Sequence, residues 1–201
     1  MLAHLTALLA PLGESARREA RLLLEHTLSS HSDFGPGPSA LFDEQPLPDE
    51  WIFRLEAAAA RRLEGEPLQY ILGEWEFYSL PFAVGPGVLI PRPDTECLVD
   101  RALCFLKDRP AACVADLCSG SGAVAVAVAH HAPKSRVTAV EWDDKAFSYL
   151  KRNIRLNHAD NVTAVRADVL AVPQGFGPFE LIVSNPPYIR SRVIEDLAPS
   201  V

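Results

Sequence analysis

The side chains best suited to chemistry sit in short stretches that each follow an apolar run. Asn185-Pro186-Pro187-Tyr188 follows Leu181-Ile182-Val183, which reads as a buried strand. A residue before proline is driven to extended backbone, and two prolines in a row cannot continue a helix. The strand therefore ends in a stiff turn. Asn185 and Tyr188 are held at a strand's C-terminal end, where open α/β sheets bind ligands. Asn185 offers a carbonyl acceptor, Pro186 and Pro187 offer backbone carbonyls without N–H groups, and Tyr188 offers a flat face. That set suits a planar group carrying N–H2, either an amide or a nucleobase amine. Taken alone, the tetrapeptide also reads as a turn that merely closes a strand.

A second stretch, Cys118-Ser119-Gly120-Ser121-Gly122, follows Cys113-Val114-Ala115-Asp116-Leu117. Gly120-x-Gly122-x-x-Ala125 satisfies a relaxed dinucleotide fingerprint, and Glu141 lies near the ~20-residue spacing of a ribose-binding acid. Any nucleotide-like ligand meets that spacing, NAD included. Asp116 shifts the balance, because a carboxylate before the loop repels a pyrophosphate and pairs with an ammonium. S-adenosylmethionine carries an ammonium and a sulfonium and no phosphate. Its carboxylate can use the N–H groups at the helix start. Glu141 can accept both ribose hydroxyls, a demand NAD shares. Trp142 can lie against the adenine, and Asp168, with Val169 beside it, can accept from the adenine amino group. Trp142 reads equally as a partly buried packing residue, and Asp168 as a helix N-cap.

These residues need elements to hold them. From Ala111 onward, strands at 113–117, 136–141, 162–167 and 179–184 alternate with helices at 123–133 and 143–157. That alternation predicts an α/β fold with a parallel, doubly wound sheet. The Ala-Val alternation of residues 123–129 also fits a strand, but length and the preceding glycine loop favour helix.

Upstream, residues 1–66 read as a small helical domain. Ala3, Leu5, Leu8 and Leu9 open an amphipathic pattern, and Ser15 is placed to cap a second helix. Gly35-Pro36-Gly37-Pro38 breaks it. Pro48-Asp49-Glu50 opens another helix, with Ile52, Leu55, Ala59 and Leu63 on one stripe. Residues 67–90, rich in Trp75, Phe77, Tyr78 and Phe82, predict a β-hairpin linking two domains. In residues 91–201, Asp94 or Thr95 starts a helix through Leu106. Arg92, between two prolines, has its guanidinium aimed by a rigid backbone.

The chain has 201 residues, 48% of them hydrophobic and 22% charged, which suits a globular protein. No apolar run approaches a membrane span, and no secretory signal is apparent. The formal charge of −7 disfavours nucleic acid as a bulk electrostatic partner. The four cysteines, Cys97, Cys104, Cys113 and Cys118, form no C-x-x-C pair. They suit free thiols in a reducing cytoplasm rather than zinc or a disulfide framework. The scattered histidines point to no metal, and His130-His131 reads as a pair at a helix end.

Asp116 through Gly122, Glu141, Asp168 and Asn185-Pro186-Pro187-Tyr188 together resemble a class I S-adenosylmethionine-dependent methyltransferase acting on an amino or amide nitrogen. Gln69-Tyr70-Ile71-Leu72-Gly73, the Phe77 region and Val88-Leu89-Ile90-Pro91-Arg92-Pro93-Asp94-Thr95-Glu96 narrow the resemblance to the bacterial HemK/PrmC family. Those are glutamine methyltransferases of peptide chain release factors. The Asn-Pro-Pro-Tyr turn is shared with adenine and guanine methyltransferases, whereas its combination with Pro-Arg-Pro-Asp-Thr-Glu is far more specific. The resemblance implies methylation of the side-chain amide of the glutamine in the Gly-Gly-Gln tip of class 1 release factors, with S-adenosylhomocysteine as by-product. It implies an N-terminal helical domain that helps recognise the factor. A sister family methylates a ribosomal-protein glutamine, and its matching turn usually lacks Pro-Asp-Thr-Glu. Two departures stand out. The family loop usually has glycine where Cys118 stands. The family sheet also continues past four strands, so the chain is expected to be an N-terminal portion.

The resemblance and the donor inventory give Asn185 and Pro186 the role of accepting the two amide hydrogens, with Tyr188 packed on the amide plane. Arg92 and Pro187 complete the expected substrate contacts. A monomer is favoured. Three rivals remain: a nucleic-acid amino-methyltransferase, a NAD-binding oxidoreductase, which leaves Asp116 unexplained, and a non-catalytic binding module.

Overall fold

The computed structural model describes residues 1–29, 47–171 and 176–187. The predicted break at Gly35–Pro38 lies outside them. One compact unit covers Met1–Leu72, and another begins at Gly73. Among the described residues no helix is long and apolar enough to cross a membrane.

The first unit is helical: α1 (Leu2–Leu8), α2 (Ala16–Ser29), α3 (Asp49–Leu63) and α4 (Leu68–Leu72). Leu5, Leu9, Leu23, Leu24, Trp51 and Leu55 are central to its core. Ser15 does not cap α2; its hydroxyl donates back to the Leu12 carbonyl at 3.3 Å, inside a 3-10 segment joining α1 and α2. α3 opens as predicted, with Pro48 at the N-cap and Asp49 and Glu50 in the first turn. Its buried stripe is Trp51, Leu55 and Ala59, while Leu63 is exposed. Leu55 and Ala59 are buried as predicted, and Trp51 takes the place of Ile52 because the indole has the larger apolar surface to bury. Gln69-Tyr70-Ile71 is helical, within α4, and α4 packs with the helical unit. That unit therefore extends past residue 66.

The second unit opens with a hairpin, β1 (Glu74–Phe77) and β2 (Leu80–Ala83). Its turn residues Tyr78 and Ser79 both have positive φ, at 52° and 59°, the geometry that two-residue hairpins favour. The hairpin is more than a linker, since Phe77, Leu80 and Phe82 belong to the same core as Val99, Val126 and Val137. The sheet contains β3 (Cys113–Leu117), β4 (Arg136–Glu141), β5 (Val162–Arg166) and β6 (Leu181–Ser184). All are parallel, in the order β5-β4-β3-β6.

Helices α5 (Glu96–Leu106), α6 (Ala123–His131) and α7 (Asp144–Leu156) form a layer in which α6 packs on both others. Every residue of α6 from Ala123 to Ala129 is buried. A helix apolar on all sides has no amphipathic period, which is why its sequence mimics strand alternation. The fold expected from the sequence is therefore present: a helical N-terminal region, a hairpin, then a parallel α/β sheet.

Candidate functional site at the strand ends

Register decides which residues meet. Leu117 on β3 pairs with Val140 on β4 and with Ser184 on β6. The next residues, Cys118, Glu141 and Asn185, therefore start level along one edge of the sheet. The chain order reverses at β3, whose neighbours are β4 and β6. Such a reversal is where open α/β sheets hold ligands.

The glycine loop is shaped by its own hydrogen bonds. Ser119 N–H donates to the Val140 carbonyl at 2.9 Å and Gly122 N–H to the Ser119 carbonyl at 2.8 Å. A Cβ on Gly122 would lie 2.4 Å from Leu150 Cδ1, whereas one on Gly120 would meet nothing within 4 Å. Gly122 thus permits close packing on α7, and Gly120 leaves an open surface above the loop. Ser121 is buried, and its carbonyl accepts from Asn153 Nδ2 at 2.8 Å. Cys118 has φ +60°, a left-handed conformation that costs a residue with a side chain roughly 1–2 kcal/mol. Its half-buried thiol is pushed up in pKa by burial first and then by the Glu141 carboxylate, so it stays neutral.

Asp116 lies beneath the loop, 2% exposed. Its Oδ2 accepts the Ala125 N–H of α6 at 3.1 Å. Burial raises its carboxyl to about 7, against the opposing pull of hydrogen bonds from Ala125 and Ser119. The side chain anchors the first turn of α6 and does not reach solvent. Glu141 is pinned by three backbone N–H groups: Gly120 to Oε2 at 2.8 Å, and Trp142 and Asp143 to Oε1 at 2.7 and 2.8 Å. A carboxylate offers about four lone-pair sites, so roughly one remains for a ligand hydroxyl. A diol gains the second acceptor only by displacing Gly120.

Trp142 is 65% exposed, which removes its reading as a packing residue and leaves an aromatic face at the rim. Among the described residues Asp168 caps no helix. Its Oδ1 accepts Leu170 N–H at 2.9 Å in a local turn, and among the described residues nothing donates to Oδ2. Val169 is half-buried beside it. The open face over Gly120, the pinned Glu141 carboxylate and the exposed indole fit a nucleoside, but Asp116, buried and bonded to Ala125 N–H, does not present the carboxylate expected to pair with a ligand ammonium.

On the β6 side, Ser184 Oγ donates to the Leu117 carbonyl at 2.7 Å and ties the turn to β3. Asn185 is half-buried, and its Nδ2 donates to Thr95 Oγ1 at 3.2 Å. Pro186 and Pro187 are exposed. Tyr188 lies outside the described residues. Thr95 does not cap α5 with its side chain: it is already helical, at φ −75° and ψ −17°. Asp94 belongs to the 3-10 turn Pro93–Thr95 before it. Arg92 is extended and exposed at the start of that turn.

Two residues of this region were missed in the sequence. Thr95 gave no signal toward Asn185, which is 90 positions away. Asn153 is fully buried on α7. Its carboxamide accepts Ala83 N–H at 2.7 Å and donates to the Ala83 and Ser121 carbonyls at 3.1 and 2.8 Å. An asparagine inside the helix, Asn153, was the available clue, since asparagine is a poor helix former.

Two models of known families match the chain: Methyltransferase small domain over residues 97–198, and PrmC N-terminal domain over residues 1–73. A release factor glutamine methyltransferase of Escherichia coli K12 is 41% identical over 179 residues, covering 89% of this chain and 62% of that protein. The protein of that name from Geobacter sulfurreducens is 40% identical over 190 residues, covering 94% and 66% respectively. The one from Fusobacterium nucleatum is 41% identical over 146 residues, covering 73% and 41%. The chain spans less than two thirds of the length of each of these relatives.

Proposed function

We propose a function for a chain that belongs to the Methyltransferase small domain family and carries a PrmC N-terminal domain match ahead of it: methyl transfer from S-adenosylmethionine to a protein glutamine. The acceptor is the side-chain amide nitrogen of the glutamine in the Gly-Gly-Gln tip of class 1 peptide chain release factors. The observation that carries this reading is the register that sets Asn185 level with the glycine loop and Glu141. Names of relatives at about 40% identity support the choice of protein substrate.

S-adenosylmethionine, when bound, supplies an electrophilic methyl group on a sulfonium. Cys118 to Gly122 would lie under it, Glu141 would accept from its ribose, Trp142 would face the adenine, and Asp168 with Val169 would receive the adenine amino group. Asp116 contributes from below by fixing the loop-to-helix junction. An amide nitrogen is a poor nucleophile, because its lone pair is delocalised into the carbonyl. Asn185 Oδ1 and the Pro186 carbonyl would accept the two N–H hydrogens and orient the nitrogen. Pro187 keeps the turn stiff, Tyr188 is assigned by resemblance to the amide plane, and Arg92, aimed by the proline-bounded turn, would add a substrate contact. Orientation and fixed dipoles supply the rate. The nitrogen becomes acidic once methylated, and its proton passes to solvent. The helical unit, residues 1–72, would serve recognition of the release factor, and the unit that begins at Gly73, hairpin included, would hold the cofactor.

The test offers labelled S-adenosylmethionine and the full-length protein a panel of acceptors. Label should enter a class 1 release factor, and not a variant lacking the tip glutamine. Label in tRNA, rRNA or DNA instead would favour the nucleic-acid reading that the Asn-Pro-Pro-Tyr turn shares. Label in a ribosomal protein would favour the sister branch.

A further inference from the structure

We infer that Thr95 is a positioning residue that sets which end of the Asn185 carboxamide faces the acceptor, an inference that rests on the proposed role of Asn185. A carboxamide is nearly symmetric in shape but opposite in chemistry at its two ends. Only the oxygen end can accept from a substrate N–H2; the nitrogen end would oppose it donor to donor. Asn185 Nδ2 donates to Thr95 Oγ1 at 3.2 Å, and among the described residues nothing donates to Oδ1. Holding the nitrogen end turns the oxygen end outward, beside the exposed Pro186.

Thr95 is itself fixed. Its N–H donates to the Arg92 carbonyl at 3.0 Å, within the rigid proline-bounded turn. Its neighbour Glu96 accepts Tyr78 N–H at 3.0 Å, and Tyr78 O–H donates to Asp100 at 2.7 Å. The hairpin tip therefore clamps the start of α5. On the other side, Ser184 ties the β6 end to Leu117. The carboxamide is thus gripped between two anchored elements that meet only in the folded chain.

The experiment compares Thr95→Val, which keeps shape and removes the hydroxyl, with Thr95→Ser, which keeps the hydroxyl. Both are made in the full-length protein, alone and with Asn185→Ala. Single-turnover methyl transfer to a release factor, cofactor affinity, melting temperature and the Asn185 side-chain amide NMR signals are measured. Thr95→Val should slow transfer roughly three- to tenfold, the worth of one hydrogen bond. It should shift the Asn185 amide signals and leave cofactor affinity and melting unchanged. Thr95→Ser should restore the rate, and Thr95→Val should add nothing when Asn185 is already alanine. A wild-type rate in Thr95→Val beside a slow Asn185→Ala overturns the role of Thr95 alone. An equal slowing in the Asn185→Ala background, or loss of melting temperature and cofactor affinity that serine does not rescue, also overturns it. A wild-type rate in Asn185→Ala overturns the reading of Asn185 and this inference with it.

Discussion

Glu141 and Asp116 are both carboxylates at the candidate site, and their surroundings give them opposite tasks. Glu141 is half-buried and held by three N–H groups, which keep it aimed. Glu141→Ala should weaken S-adenosylmethionine binding by roughly 1.5–3 kcal/mol, the range for hydrogen bonds to a charged group. Calorimetry checks this, and unchanged affinity would remove Glu141 from the ribose site. Asp116 is buried, and its carboxyl is lifted from an ordinary 3.8 to about 7. Between those values the folded state holds a proton that the unfolded state has released. Stability therefore falls as pH rises from about 4 to about 7, by roughly 4 kcal/mol from this group. Asp116→Asn keeps an acceptor for Ala125 N–H and has no charge to bury. Urea unfolding at pH 5 and pH 8 should show the variant gaining on the parent at the higher pH. A gap between the two that does not change with pH contradicts the buried, neutral carboxyl.

The elements were legible in the sequence to the extent that one period dominated each stretch. Short apolar runs bounded by glycine or proline marked β3, β4, β5 and β6. The acid-rich start after Pro48 marked α3. Residues 69–71 misled because aromatic and β-branched residues suit either a strand or a short helix, and packing against the helical core decides. The hairpin was found, but its burial in the sheet unit was not. Asn153 on α7 ties the hairpin at Ala83, a contact across 70 positions that no local pattern encodes. The same holds for Thr95 and Asn185. The strand-end residues were legible as a set, whereas the N–H groups that pin Glu141 depend on the folded loop. Asn153→Ala would leave the Ala83 N–H and C=O and the Ser121 carbonyl without their partner. The expected cost is about 3 kcal/mol, with weaker cofactor binding because the glycine loop loses its tether. Chemical denaturation checks it, and a loss under about 1 kcal/mol would show that the carboxamide is not the staple it resembles.

At the scale of the whole molecule, the chain divides into a helical unit and a sheet unit, each with its own core. Glycine loop, Glu141 and Asn185 all belong to the second. Deleting residues 1–72 should therefore spare S-adenosylmethionine affinity and raise the Michaelis constant for a release factor. An unaltered Michaelis constant in the shortened, folded protein would end the recognition role assigned to the helical unit. The account as a whole turns on the β6 turn as the place where an amide nitrogen is held. The most direct measurement is single-turnover methylation of a release factor by full-length Asn185→Ala, beside its melting temperature and cofactor affinity. The expected result is a rate about 100- to 1000-fold lower, as when one positioned hydrogen-bonding group is removed from other enzymes, with folding and cofactor binding intact. A normal rate in the folded variant would contradict the account.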